Sequence, residues 1–161
     1  VGVSKVKNTQ ELKDALKKAA QYDEKVLVEE FISGHEVEVA VLGNKNPIAS
    51  VVGEVIAGAE FYDYDAKYNS PQSRTEIPAD ISEDAAERLR KAAVTVYEAM
   101  GCKGLSRVDF FLTYEGEEVV FNEINTIPGF TSISMYPKLF EAAGVPKQKL
   151  IEELISLAME A

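Results

Sequence analysis

Two β-rich runs on either side of one glycine constrain this fold more than any other stretch. Residues 107–113 read Arg-Val-Asp-Phe-Phe-Leu-Thr, and residues 118–125 read Glu-Val-Val-Phe-Asn-Glu-Ile-Asn. Tyr-Glu-Gly-Glu joins them. β-Branched and aromatic residues around a Gly-containing turn specify a β-hairpin. Yet Asp109 sits between Val108 and Phe110, and Glu123 and Asn125 flank Ile124. Strand side chains alternate, so Glu123 and Asn125 share a face. With the turn centred on Gly116, Asp109 lies across from Glu123. Three oxygen-bearing side chains then meet on one patch. Two readings remain open: a solvated outer face of the hairpin, or a site for a hard divalent cation such as Mg²⁺ beside a polyphosphate.

A long polar loop follows, Asn-Thr-Ile-Pro-Gly-Phe-Thr-Ser-Ile-Ser-Met-Tyr-Pro over residues 125–137. Pro128-Gly129 marks a turn, and a glycine lets a backbone N–H come close to a ligand. The block from Arg107 to Pro137 resembles the signature of D-alanine–D-alanine ligases, members of the ATP-grasp superfamily. The likeness runs from Val1 to about Ala158.

The rest of the chain alternates helical and extended patterns. Asn8 and Glu11 form a capping box. Leu12, Ala15, Leu16 and Ala19 then fall at helical spacing, in a helix ending near Tyr22. Residues 25–31 read as a strand. Residues 36–42 alternate acid and valine as a half-buried strand does. Residues 47–55 read as a third strand, and short turns join the three into an antiparallel meander. Residues 57–74 lack either period and read as a compact lid. Ser82 caps a second helix with Leu89, Ala92, Ala93, Val96 and Met100 on its buried face, and Gly101 ends it. Cys102 reads as a small buried hydrophobe. After the hairpin, Pro137 opens a helix through Ala143. A last helix over 149–159 places Leu150, Ile151, Leu154, Ile155 and Ala158 on one face. This order makes an α+β fold with a mainly antiparallel sheet and flanking helices. The 161 residues allow one core, or two small lobes sharing one.

Charge and cysteine content exclude some classes. The formal net charge is -10, from 27 acidic and 17 basic residues, which argues against nucleic acid. One cysteine excludes an internal disulfide and fits a reducing, cytoplasmic compartment. No apolar run approaches the ~20 residues that span a bilayer, and no signal peptide is visible. His35, the sole histidine, sits in a turn and receives no role.

The family resemblance implies specific roles. Residues 1–161 would be the carboxy-terminal ATP-grasp portion, without the amino-terminal substrate domain and part of the glycine-rich loop. Glu29 would bind the adenine amino group, with the backbone of Phe31 and Ile32 pairing with the ring. Glu36 would hold the ribose hydroxyls. The run Asp-Tyr-Asp-Ala-Lys-Tyr at 63–68 would bring Lys67 to the ATP phosphates and Tyr68 over the substrate; that tyrosine favours an amine as second substrate. Asp109, Glu123 and Asn125 would hold Mg²⁺, or Mn²⁺. Arg107 and the Gly129 N–H would stabilise the tetrahedral intermediate. Ser134 and the Met135 backbone would take the second substrate's carboxylate. ATP and D-alanine are the implied substrates, with a homodimeric full-length enzyme and a fragment inactive alone. Another ATP-grasp carboxylate–amine ligase, or an inactive nucleotide-binding module, are the alternatives.

Overall fold

The computed structural model describes residues 1–56, 74–114 and 118–160. Two compact units emerge: one contains Val1–Phe31, the other Ile32–Ile56 and the residues from Thr75 onward.

In the first unit, α1 (Thr9–Ala19) opens on Asn8, whose side chain accepts from the Gln10 and Glu11 amides at 3.1 and 3.0 Å. Glu11 completes the cap differently from a standard box: it accepts from the Lys7 amide at 2.8 Å and from the Asn8 side chain at 2.7 Å. The expected apolar stripe buries nothing fully, and Leu16 is exposed. Residues 25–31 form no strand. A strand exists only with a hydrogen-bonded neighbour, and none of the described ladders includes this run.

The second unit is built on a sheet of β1 (Gly34–Leu42), β2 (Ile48–Ile56), β3 (Arg74–Glu76), β4 (Leu105–Thr113) and β5 (Val119–Asn125). Its spatial order is β3-β2-β1-β4-β5. The β1–β2, β1–β4 and β4–β5 pairs are antiparallel. The expected meander therefore reduces to the β1–β2 hairpin, and β1 takes β4 as its other neighbour.

One face of this sheet is the main core. Val37, Val39 and Val41 of β1 and Val108, Phe110 and Leu112 of β4 alternate onto it. α2 (Glu83–Ala99) lies across them through Ala85, Leu89, Ala93 and Tyr97, one residue per turn. Ser82 caps α2 by accepting from the Ala85 amide at 3.2 Å. Gly101, at φ 64, ends it: its N–H reaches Glu98 O and that of Cys102 reaches Tyr97 O. Met100, expected inside, is 63% exposed, and Tyr97 takes the buried place. The glycine turn swings Met100 outward, while Tyr97 donates to Gly43 O at 2.7 Å. Cys102 packs partly buried against this core, as expected.

The other face is covered at one end by α3 (Met135–Ala142) and α4 (Lys147–Ala158). α3 begins two residues before the expected Pro137, which occupies its third position, inside the first turn where a proline N–H is not needed. Tyr136, Leu139 and Phe140 are fully buried, and Tyr136 donates to Val41 O at 3.1 Å. Gly53 makes the close approach possible, since a Cβ there would lie 2.6 Å from Leu139 Cδ2 and 2.9 Å from Met135 Cε. α4 buries Leu150 and Leu157, whereas Ile151 and Ile155 face outward. With both faces covered, β1 is buried on both sides from Val37 onward rather than half-buried. A bulge in β2 between its pairings with Val39 and Val41 frees the Ala40 amide, and buried Ser50 Oγ accepts from it at 3.0 Å.

Candidate functional site

The site grows from a single cross-strand row. Gly53 pairs with Glu38, Glu38 with Asp109, and Asp109 with Glu123, so four strands set these positions side by side on the face opposite α2. The neighbouring row runs Ala40, Arg107, Asn125. The pairing of Asp109 with Glu123 is the expected one, reached by a detour. Phe110 pairs with Phe121, so Asn122 is an extra residue in β5. That bulge separates two demands. Without it, Phe121 and Glu123 would share a face. With it, Phe121 meets Phe110 edge-on at 6.1 Å on the core side, and Glu123 joins Asp109 on the polar side.

Arg107 is clamped between carboxylates. Its Nε donates to Asp109 Oδ1 and its Nη2 to Asp109 Oδ2, both at 2.8 Å. The same Nε lies 3.2 Å from Glu38 Oε2. All three residues are buried, at 8, 6 and 4% exposure for Arg107, Asp109 and Glu38. Fork-to-fork pairing of this kind fixes both distance and angle. Glu38 was missed in the sequence, where it looked like the polar half of an alternating strand. The signal lay in its register: it is two residues from Glu36 and on the same face.

After β5 the chain closes into a small knot. Thr131 N donates to Ser134 Oγ at 3.0 Å, the two hydroxyls lie 2.8 Å apart, and Ser134 N reaches Thr131 O at 3.3 Å. Gly129 stands against Ser134: a Cβ there would lie 2.9 Å from Oγ. Lys147 of α4 anchors the loop by donating to Phe130 O at 3.2 Å. Ser134 is the N-cap of α3 but makes no side-chain cap, so the first α3 amides lack that acceptor. Met135 then seats beside Gly53, next to Glu38 in the row above.

The remaining expected residues divide between the units. Glu36 is half-buried and lies on the face of Glu38 and Asp109, by strand alternation. Ile32 is half-buried at the start of the second unit. Glu29 and Phe31 belong to the first unit; both are exposed, and Lys5 Nζ sits 3.6 Å over the Phe31 ring. Lys67, Tyr68 and the expected lid lie outside the described residues. His35, given no role, contacts Glu54 through Nδ1 at 2.6 Å.

The donor chemistry here fits a hard dication. Asp109 spends one lone pair of each oxygen on Arg107, and a carboxylate offers about four such sites. Glu123 is exposed, and half-buried Asn125 uses its Oδ1 to accept from the Ile127 amide at 3.1 Å. Glu38 and Asp109 set two negative charges against the Arg107 guanidinium, and Glu123 pairs with Asp109 across the strands. Oxygen ligands with excess negative charge suit Mg²⁺. Among the described residues, no cluster of three or more His, Cys, Asp or Glu is gathered for a metal; the candidate set here is two carboxylates and an amide. Among the same residues, no helix is long and apolar enough to cross a membrane.

Comparison with known proteins identifies the family of the chain. The family described as D-ala D-ala ligase C-terminus matches residues 1–156. The D-alanine–D-alanine ligase of Acetivibrio thermocellus is 58% identical over 160 residues, covering 99% of this chain and 43% of that protein. The VanG D-Ala:D-Ser ligase of Enterococcus faecalis superposes with a TM-score of 0.87 at 45% identity, over 97% of this chain and 45% of that one. A D-alanine–D-alanine ligase of Bacillus anthracis, complexed with ATP, superposes with a TM-score of 0.81 at 30% identity, over 99% of this chain and 51% of that one. The chain thus spans about half the length, or less, of these relatives.

Proposed function

The chain belongs to the family of D-alanine–D-alanine ligase carboxy-terminal regions, and from that membership we propose that it supplies the nucleotide- and metal-binding part of an ATP-dependent carboxylate–amine ligase. The observation that carries the proposal is the buried Arg107–Asp109 pair lying in register with Glu123 and Asn125. ATP phosphorylates the carboxylate of one D-alanine. The amine of a second attacks the acyl carbon, the C–N bond forms, and phosphate leaves with the former carboxylate oxygen. No protein nucleophile is needed, only positioning and charge stabilisation.

Asp109, Glu123 and Asn125 would hold Mg²⁺, which when bound neutralises and orients the phosphate oxygens. Glu29, Phe31 and Ile32 bind adenine, Glu36 the ribose, and Lys67 the phosphates. Tyr68 closes over the substrate. Arg107 and the Gly129 N–H stabilise the tetrahedral oxyanion. Ser134 and the Met135 backbone receive the second substrate's carboxylate. The uncapped amides of α3 support this, because a helix N-terminus favours an anion. The whole enzyme acts in the cytoplasm as a homodimer.

The VanG relative, named for D-Ala:D-Ser, favours D-serine as a second candidate acceptor. The test fuses the amino-terminal part of the Acetivibrio ligase to this chain and follows phosphate and dipeptide with D-alanine or D-serine. D-Alanyl-D-alanine formation, abolished by Glu123→Gln, is expected. A folded fusion that makes neither dipeptide refutes the ligase reading. The chain alone is expected to bind Mg-ATP more weakly than the fusion and to make no dipeptide.

A further inference from the structure

We propose that Lys147 is a positioning residue for the second substrate, acting on Ser134 through the peptide unit that joins Phe130 to Thr131. What Ser134 binds rests on the ligase reading; how Ser134 is set rests on the geometry. Lys147 stands first in α4. A cation is unfavourable there, because the unpaired N–H groups at a helix start already carry partial positive charge. α1 and α2 follow that rule, with Glu11 in the first turn of one and Glu83 and Asp84 in that of the other. α4 has neither an acid in its first turn nor a side-chain cap. Its first lysine reaches instead to the loop after β5. Nζ donates to Phe130 O at 3.2 Å and lies 5.7 Å from the centre of the Phe130 ring. That ring is 5.8 Å from the ring of Tyr136, which is fully buried and donates to Val41 O. Among the described residues, the remaining hydrogen bonds of residues 126–133 run to Asn125 or between Thr131 and Ser134. The Lys147 bond is therefore the one that ties this loop to an element not next to it in the chain.

A peptide unit is planar, so holding one end of it fixes the other. Lys147 holds the Phe130 carbonyl. The N–H of the same unit, that of Thr131, donates to Ser134 Oγ at 3.0 Å, and Thr131 Oγ1 lies 2.8 Å from that oxygen. A serine hydroxyl has two lone pairs and one proton. When Thr131 donates through both its N–H and its hydroxyl, both lone pairs of Ser134 are taken and its proton is left to donate. An ionised carboxylate only accepts, so this is the state that binds it. Releasing the Phe130 carbonyl lets the peptide unit turn and gives a lone pair back to Ser134. The site then offers an acceptor where the substrate needs a donor.

The test has two arms. In the first, the Thr131 amide of the 161-residue chain is followed by NMR, and its exchange with water is compared among the wild type, Lys147→Met and Lys147→Arg. Lys147→Met keeps a long stem but loses the donor. It is expected to speed Thr131 exchange by about fivefold, the worth of one net hydrogen bond. Its melting temperature should hold or rise, because the helix start is relieved of a cation. Lys147→Arg keeps a donor and is expected to restore slow exchange. An unchanged Thr131 rate in Lys147→Met overturns the proposal, and so does an arginine that behaves like the methionine. Faster exchange spread through α4 with a lower melting temperature would mean a merely structural role. In the second arm, the ligase fusion with Lys147→Met is expected to raise KM for the second D-alanine about fivefold, with kcat and KM for ATP unchanged. Added to Ser134→Ala, Lys147→Met should raise that KM no further, because the hydroxyl it acts through is gone. Additive losses, or a KM that does not move, overturn the proposal. If the wild-type fusion makes no dipeptide while the Thr131 contrast stands, the ligase reading fails and the Lys147 hold on Ser134 survives.

Discussion

Gly53→Ala tests how tightly α3 is seated beside the candidate site. Gly53 is not in the left-handed region, so alanine brings no backbone strain. By itself the exchange would stabilise by about 0.4–1 kcal/mol, through the unfolded chain. The new methyl, however, would lie 2.6 Å from Leu139 Cδ2, 2.9 Å from Met135 Cε and 3.2 Å from Ile77 Cγ1. Carbon atoms rest about 3.5–4.0 Å apart, so the Leu139 contact is short by about 1 Å. Met135 can swing its methyl away, but Leu139 is fully buried. Overpacking of this sort costs about 1–3 kcal/mol, leaving a net loss of about 1–2 kcal/mol. Leu139→Ala alone should cost about 2–5 kcal/mol through the cavity it opens. In the double variant the alanine methyl enters the vacated space, so the two losses should fall short of their sum by about 1 kcal/mol or more. Urea unfolding followed by far-UV circular dichroism measures all three proteins. Additive losses, or a Gly53→Ala variant as stable as the parent, would refute the account of α3 docking.

Burial pushes the Tyr97 hydroxyl up to about 12 and that of Tyr136 higher still. A raised acid keeps its proton in the fold while the unfolded chain loses it near pH 10, so stability is full below pH ~10 and falls as pH rises toward 12, by about 1.4 kcal/mol per unit for each tyrosine. Urea midpoints against pH should show this slope, and Tyr97→Phe should lower it. An unchanged slope would contradict the assignment. Ser134→Ala removes the hydroxyl that ties Thr131, so in the ligase fusion KM for the second D-alanine should rise about tenfold with little change in melting temperature; steady-state kinetics with varied D-alanine decide. Calorimetry with Mg²⁺ should show Glu123→Gln weakening binding by about tenfold or more, since partners one shell further out are already worth that much; equal affinities would remove Glu123 from the metal set.

The sheet residues were legible where both period and partner were local. Alternation around Gly116 led to the pairing of Asp109 with Glu123, even though the bulge at Asn122 shifts the register nearer the turn. The helix ends were legible because Ser82 and Gly101 are local signals. What failed depended on long-range contact. The adjacency of β1 and β4 joins residues about 70 apart and has no local mark. The same adjacency turns Glu38 from an apparent surface acid into a buried one. Met100, Ile151 and Ile155 had the right helical spacing, but the neighbouring elements do not reach them. Residues 25–31 had strand composition, but none of the described strands pairs with them.

The distribution of charge on the sheet links these observations. The chain carries a formal charge of -10, and most of its acids lie in water, where they cost little. Among those that do not, Glu36, Glu38 and Asp109 share one sheet face beside Arg107, with exposed Glu123 next to Asp109 in the pairing. On the opposite face the same strands present valines, phenylalanine and leucine to α2. A sheet selected for stability alone would gain by making both faces apolar, because a buried ion pair seldom outdoes well-packed hydrocarbon. Here α3 seals the face next to the acids through Gly53 and stops short of them, so the carboxylates are held in fixed places at the edge of the core. Fixed, partly dehydrated acids attract cations strongly, because little solvent is left to screen them. On the ligase reading, the same arrangement would repel ATP unless a metal came with it, which would make cation binding a condition of nucleotide binding rather than an addition to it.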